Sequence, residues 1–301
     1  MRKTSDSPRR GRVAAVSGAA ALALAAALPL AGCGDGEGEA VPVKPGEEVR
    51  IDSSAAKTYR TDFGPFALLA EPEFGGETLD AKLVFDEREV DASARGFVIF
   101  NPRAEVRDFP LPGCRTLPVE MYSGGANCCF TYYILTTCTD DSVSYASYID
   151  ANGKSSMGNP ETLENGTASL VFPISDPAFQ YYQPRGQSDE NPLFLSGADS
   201  PALTRFLIFD ETIWRPDQAG RHQEAYDILI AQVRNAADMH PAARAIAIAY
   251  YTAMKGDESL EVLEELLPVD WAPYKELINA DILDAIENFE PVHTIDLIKH
   301  P

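Results

Sequence analysis

Residues 119–139 read VEMYSGGANCCFTYYILTTCT and hold three of the five cysteines in the chain. Apolar, aromatic and β-branched residues flank a Ser-Gly-Gly turn, the composition of two strands joined by a tight connection. The expected hairpin pairs residues 115–122 with 128–137 around a loop at 123–127. In that register Tyr122 faces Cys128 and Cys114 faces Thr136. Cys138 then lies two residues further on, on the same face as Cys114, and a small shift or a bulge brings the two sulfurs within bonding reach. Cys129 and Cys138 on one straight strand would lie about 30 Å apart and cannot bond. The expectation is a Cys114–Cys138 staple across the open end of the hairpin. Cys128 and Cys129 are left for each other or unpaired. Pro118 calls for an edge or a bulge, because it cannot donate to a ladder.

Outward from this hairpin, residues 50–215 are strand-like. Segments 81–85, 96–100, 143–149, 168–174, 205–209 and 212–214 are short, rich in Val, Ile, Phe, Tyr and Thr, and separated by turn residues. Asn152-Gly153 and Asn165-Gly166 are hairpin turn signals. Residues 183–201 read as a long surface loop. After Trp214 the period changes. Tyr226, Leu229, Ile230 and Val233 make one helical face. Pro241 opens a second helix that Gly256 closes, Leu260, Leu263 and Leu267 mark a third before Pro268, and Leu277, Ile278, Ile282, Ile286 and Phe289 mark a fourth before Pro291. The fold class is therefore α+β: an antiparallel β-rich domain at 50–215, sandwich or propeller-like, followed by a small helical domain at 216–301. Residues 247–267 look faintly like a tetratricopeptide-type helix pair, without a second copy.

Residues 1–32 have the order of an export signal: Arg2, Lys3, Arg9, Arg10 and Arg12, then a weakly apolar Ala/Leu segment, then Leu30-Ala31-Gly32-Cys33. Leu-Ala-Gly-Cys resembles a bacterial lipobox. The resemblance implies cleavage before Cys33 and acyl chains on its thiol and new amine, each buried CH₂ contributing about 0.8 kcal/mol of membrane affinity. Residues 33–49 read as a flexible acidic tether. Without residues 1–32 the formal charge moves from −21 to about −25. Such a chain repels phosphate backbones, which excludes nucleic acid as a partner. The partners expected are a membrane through the Cys33 lipid, and an envelope protein or a small ligand. Export also means oxidising conditions for the remaining four cysteines.

Gly124-Gly125-Ala126-Asn127-Cys128-Cys129, after the acidic strand Val119-Glu120-Met121 and before Phe130-Thr131-Tyr132-Tyr133, resembles a group of uncharacterised bacterial secreted proteins with a Gly-Gly-x-x-Cys-Cys motif. The resemblance implies a shared β-scaffold and no particular activity. No Gly-x-Ser-x-Gly, His-Glu-x-x-His, phosphate loop or dinucleotide fingerprint occurs. No Cys-x-x-Cys supports zinc, and Asp150-Ala151-Asn152-Gly153 reads as a hairpin turn before it reads as half a calcium loop. No metal or cofactor is expected. His222 and His240 sit near helix ends, where capping or solvation accounts for them. Tyr122, Tyr132, Tyr133, Tyr181 and Tyr182 are candidates to line a sugar or peptide groove, against ordinary cross-strand packing. The reading is a lipid-anchored, non-enzymatic envelope protein of the binding or structural kind. The alternative is an extracytoplasmic hydrolase drawing on Asp86, Glu87, Glu89, Asp140, Asp141 and Asp176.

Overall fold

The computed structural model describes residues 39–50, 57–73, 77–124, 130–139, 143–153, 156–159, 161–164, 168–185, 192–210 and 213–297. All lie in the unit Gly38–Pro301. The export signal, Cys33, and the pair Cys128 and Cys129 fall outside the described residues, as does the Asn165-Gly166 turn. Among the described residues no helix is long and apolar enough to cross a membrane.

The strands in chain order are β1 (Val41–Pro42), β2 (Val49–Arg50), β3 (Tyr59–Phe63), β4 (Phe66–Pro72), β5 (Leu79–Phe85), β6 (Arg88–Asp91), β7 (Ile99–Pro102), β8 (Val106–Arg107), β9 (Cys114–Tyr122), β10 (Phe130–Cys138), β11 (Val143–Gly153), β12 (Glu161–Glu164), β13 (Ala168–Asp176), β14 (Leu203–Asp210) and β15 (Ile213–Pro216). Helices α1 (Gln223–Asn235), α2 (Pro241–Met254), α3 (Ser259–Leu266) and α4 (Lys275–Glu287) follow, and β16 (Val292–Thr294) ends the series. The first sheet has the order β1-β3-β4-β5-β6, the second β16-β11-β10-β9-β7-β2 with β8 also on β9, and the third β12-β13-β14-β15. The pairings are antiparallel except β1 with β3. The chain is α+β, with β-sheets first and helices after, as its periodicities predict.

The central hairpin forms with its register moved by two residues. Tyr122 stands opposite Phe130, and Cys114 stands opposite Cys138. A move of two preserves which face each side chain takes. The sulfurs of Cys114 and Cys138 lie 2.05 Å apart, across a Cα separation of 4.0 Å. Pro118 sits inside β9, where the sequence led us to expect an edge or a bulge. Its strand is flanked there by the gap between β7 and β8, and its carbonyl accepts from the Arg103 N–H across that gap. A residue's N–H and C=O point to the same side of an antiparallel strand, so the missing donor also faces the gap.

Successive residues of this hairpin feed two different cores, because strand side chains alternate. Leu117, Val119, Met121, Tyr133 and Leu135 pack with Phe66, Leu68 and Leu83 of the first sheet. Tyr132 and Ile134 pack with Phe172, Ile174, Leu207 and Trp214 of the third. The second sheet is therefore buried on both faces, which is why its strands read as near-continuous apolar runs. Val171, Phe206 and Ile208 turn the remaining face of the third sheet onto Tyr226, Ile246, Tyr250 and Ile282 of the helices. The sheets stack face to face, in the manner of a sandwich with an added layer.

The helices carry the expected punctuation. His240 caps α2 by accepting the Ala242 N–H on Nδ1, Pro241 occupies the first turn, and Gly256 takes φ +85° just past the end. Leu277 faces outward, and Ile278 and Ile282 are the buried residues of α4. Three elements depart from expectation. Asn152-Gly153 ends β11 in place of a tight turn: Gly153 pairs with Phe130, and the ladder is irregular between Phe130 and Thr131. The tether expected at 33–49 is tied down from Val41 onward, since β1 and β2 join two sheets and Val43 is buried. Finally, the chain leaves α4 and returns as β16 to pair with β11.

Candidate functional site

One charged cluster is buried where the third sheet meets the helices. Arg205 of β14 donates from Nη2 to the Asp217 carbonyl at 2.8 Å, and from Nε to Asp217 Oδ1 at 3.4 Å. Its Nη1 donates to the Tyr250 hydroxyl at 3.3 Å and lies 3.9 Å from Asp176 Oδ2. Tyr226 donates to Asp217 Oδ2 at 2.7 Å, Tyr250 donates to Asp176, and the guanidinium lies 4.9 Å from the centre of the Phe289 ring. Burial pushes the carboxyls of Asp176 and Asp217 up, against the pull of the neighbouring guanidinium and phenols. The same burial and the carboxylates push the Tyr226 and Tyr250 phenols well up, so both remain donors. Every side of Arg205 has a partner, so the cluster is a strut tying β13, β14 and the β15–α1 connection to α1 and α2. Removing one member would leave buried charge unpaired, typically a loss of about 3–5 kcal/mol.

Two clefts flank this strut and share Phe289 as a wall. The first, about 450 Å³, is bordered by Trp214, Asp217, Gln218 and Glu290. The second, about 520 Å³, lies between residues 176–185 and α4. Its polar wall is a network of hydrogen bonds and ion pairs. The Tyr182 hydroxyl donates to Asp281 Oδ2 at 2.8 Å, Arg185 reaches Asp281 Oδ1 at 3.1 Å and Asp284 at 3.9 Å, and Asn288 Nδ2 donates to Asp284 Oδ1 at 2.9 Å. Burial and Asp281 hold the Tyr182 phenol protonated. Tyr181 borders the cleft with 53% of its surface exposed, and its ring stacks with the half-exposed Phe194 at 6.5 Å. Its backbone sits at φ +53°, a region that bulky side chains avoid. The Tyr181 N–H donates to Ser200 Oγ at 3.0 Å, and the Leu195 N–H donates to the Tyr182 carbonyl, so the strained turn is held from both sides. A third cleft, about 310 Å³ and more apolar, lies between β13, β14 and α1.

The five candidate tyrosines separate. Tyr132 and Tyr133 are core residues, Tyr122 stacks on Phe130 across the hairpin, and Tyr181 and Tyr182 meet at the second cleft. Of the acidic pool, Asp86, Glu87 and Glu89 lie exposed around the β5–β6 turn, Asp140 and Asp141 fall outside the described residues, and Asp176 belongs to the strut. His240 is a cap. His222 holds the N-cap position of α1, but its side chain makes no capping hydrogen bond and is not solvated: it is 4% exposed, and neither ring nitrogen has a hydrogen-bond partner among the described residues. Among the described residues no three His, Cys, Asp or Glu side chains gather as metal ligands. Arg205, Asp217, Arg185, Asp281 and Asp284 were missed from the sequence. A lone Arg inside the apolar run of β14 was the available signal for the strut, and the i, i+3 pair of Asp on α4 for the cleft. No protein-family model, no curated protein and no solved structure matches the chain.

Proposed function

We propose that this protein is a lipid-anchored binding protein of the bacterial cell envelope, and that the cleft between residues 176–185 and α4 is its ligand site. Cys33, at the end of an export signal, carries the acyl chains. The observation that supports binding over hydrolysis is the division of labour among the carboxylates. Asp176 and Asp217, whose carboxyls are pushed up by burial, are both tied to Arg205 and have no freedom to act as acid and base. The cleft carboxylates, the largely buried Asp281 and the exposed Asp284, instead pair with Arg185 as a polar wall beside an exposed aromatic. That is the composition of a recognition cleft: a few oriented polar groups beside apolar surface. The anchor is tested by growing cells with labelled palmitate. The wild-type chain is expected to take up label and Cys33→Ala to take up none, and a labelled Cys33→Ala chain would sink the anchored reading.

A further inference from the structure

We propose that the cleft beside α4 binds a neutral oligosaccharide, stacked on Tyr181. This rests on the reading of that cleft as the ligand site and adds the class of ligand. The first ground is the alternation of polar groups. Asp281, Arg185 and Asp284 stand in a row as acceptor, donor, acceptor: the exposed Arg185 lies 3.1 Å from Asp281, which also accepts from the Tyr182 hydroxyl, and 3.9 Å from Asp284. A sugar hydroxyl both donates and accepts, so neighbouring hydroxyls on a ring suit planar groups of alternating kind. The second ground is charge. The Arg185 guanidinium already sits between the two carboxylates, so a cationic ligand would have to displace it. An anionic ligand would meet those carboxylates on a strongly acidic chain.

The third ground is Tyr181. It presents a half-exposed ring at the cleft, backed by Phe194, from a backbone of φ +53°. An aromatic face with a polar rim suits the C–H face of a pyranose, in the way amphipathic aromatics serve at interfaces. Strain of this kind persists where surrounding structure imposes it, and it is found at ligand sites. Glycine would relax the backbone there, so Tyr181→Gly removes the ring without adding backbone strain. At about 520 Å³ the cleft falls within the size range of small-ligand sites.

The test is calorimetry on the full chain in a sugar-free detergent. The probes are maltose, cellobiose, xylobiose and N,N′-diacetylchitobiose, with spermidine as the cationic control. At least one saccharide is expected to bind. Tyr181→Gly should weaken it by about tenfold or more without lowering the melting temperature, and Asp284→Asn should weaken it severalfold. Binding that survives Tyr181→Gly overturns the proposal, as does a melting temperature that falls in step with affinity. A response to spermidine alone, lost in Asp284→Asn, keeps the cleft as a binding site and overturns the sugar. No response to any probe overturns both.

Discussion

His222 is the residue whose surroundings fit it least. It sits at the start of α1 with its ring near Phe206 and Asp217, and neither nitrogen is hydrogen-bonded among the described residues. Burial lowers its pKa, outweighing Asp217, so the imidazole is neutral in the fold. In the unfolded chain it titrates near 6.5. Below that value the unfolded state binds the extra proton, so His222's contribution is complete above about pH 6.5 and is lost as the pH falls below it. Asp176 and Asp217 act with the opposite sign. Their folded carboxyls are raised, so the native state gains on acidification between the ordinary value of 3.8 and the raised one. Comparing variants at each pH separates the two. His222→Leu should raise stability at pH 7 by about 1 kcal/mol, by removing buried donors and acceptors, and by more at pH 5.5. Urea melts in which wild type and variant show the same pH slope between 7.5 and 5.5 would refute this. Arg205 is the contrasting case: as deeply buried as the neutral His222 but charged, and with every partner supplied.

Among the elements, β9 and β10 were the most legible in the sequence. Their composition names them as strands, and the faces they present follow from parity alone. The register was misjudged by two because loop length is not written in a run of small residues between them. The pairing of Cys114 with Cys138 tolerates that error, since both residues keep their face. It closes a span of 24 positions, for which chain entropy gives about 3–4 kcal/mol. Cys114→Ala/Cys138→Ala should therefore lose about 3 kcal/mol in urea melts, with the buried Thr116–Thr136 hydrogen bond between the same strands still in place. A loss below about 1 kcal/mol would mean that the hairpin is already closed in the unfolded chain. The helices were legible from their 3.6-residue period and their Pro and Gly boundaries. β16 was not, because three residues carry no period. The cleft was half legible: adjacent tyrosines at 181 and 182 are visible in the text, but Asp281, the partner of Tyr182, lies 99 residues further along, and only the tertiary packing of α4 brings the two together.

The whole molecule is a stack whose layers are not laid down in simple order. The first core holds residues from β3, β4, β5, β9, β10 and β11, and also Val43 near its beginning and Ile295 near its end. The C-terminal segment crosses back over the molecule: the Asp150 N–H donates to the Pro291 carbonyl, β16 pairs with β11, and the Ile295 N–H donates to the Ala146 carbonyl. Deleting residues 291–301 should cost more than trimming a frayed tail. Burial of Ile295 alone is worth about 1.5–3 kcal/mol, and the ladder to β11 adds to it. The truncated chain is expected to melt at a clearly lower urea concentration, and an unchanged midpoint would show that β16 contributes nothing. The same feature bears on how the protein is made. Val43 is made long before Ile295, so the layer that holds both cannot close until β16 and the residues just after it have been made. Until then the apolar side chains around Val43 lack part of the cover that Ile295 gives them.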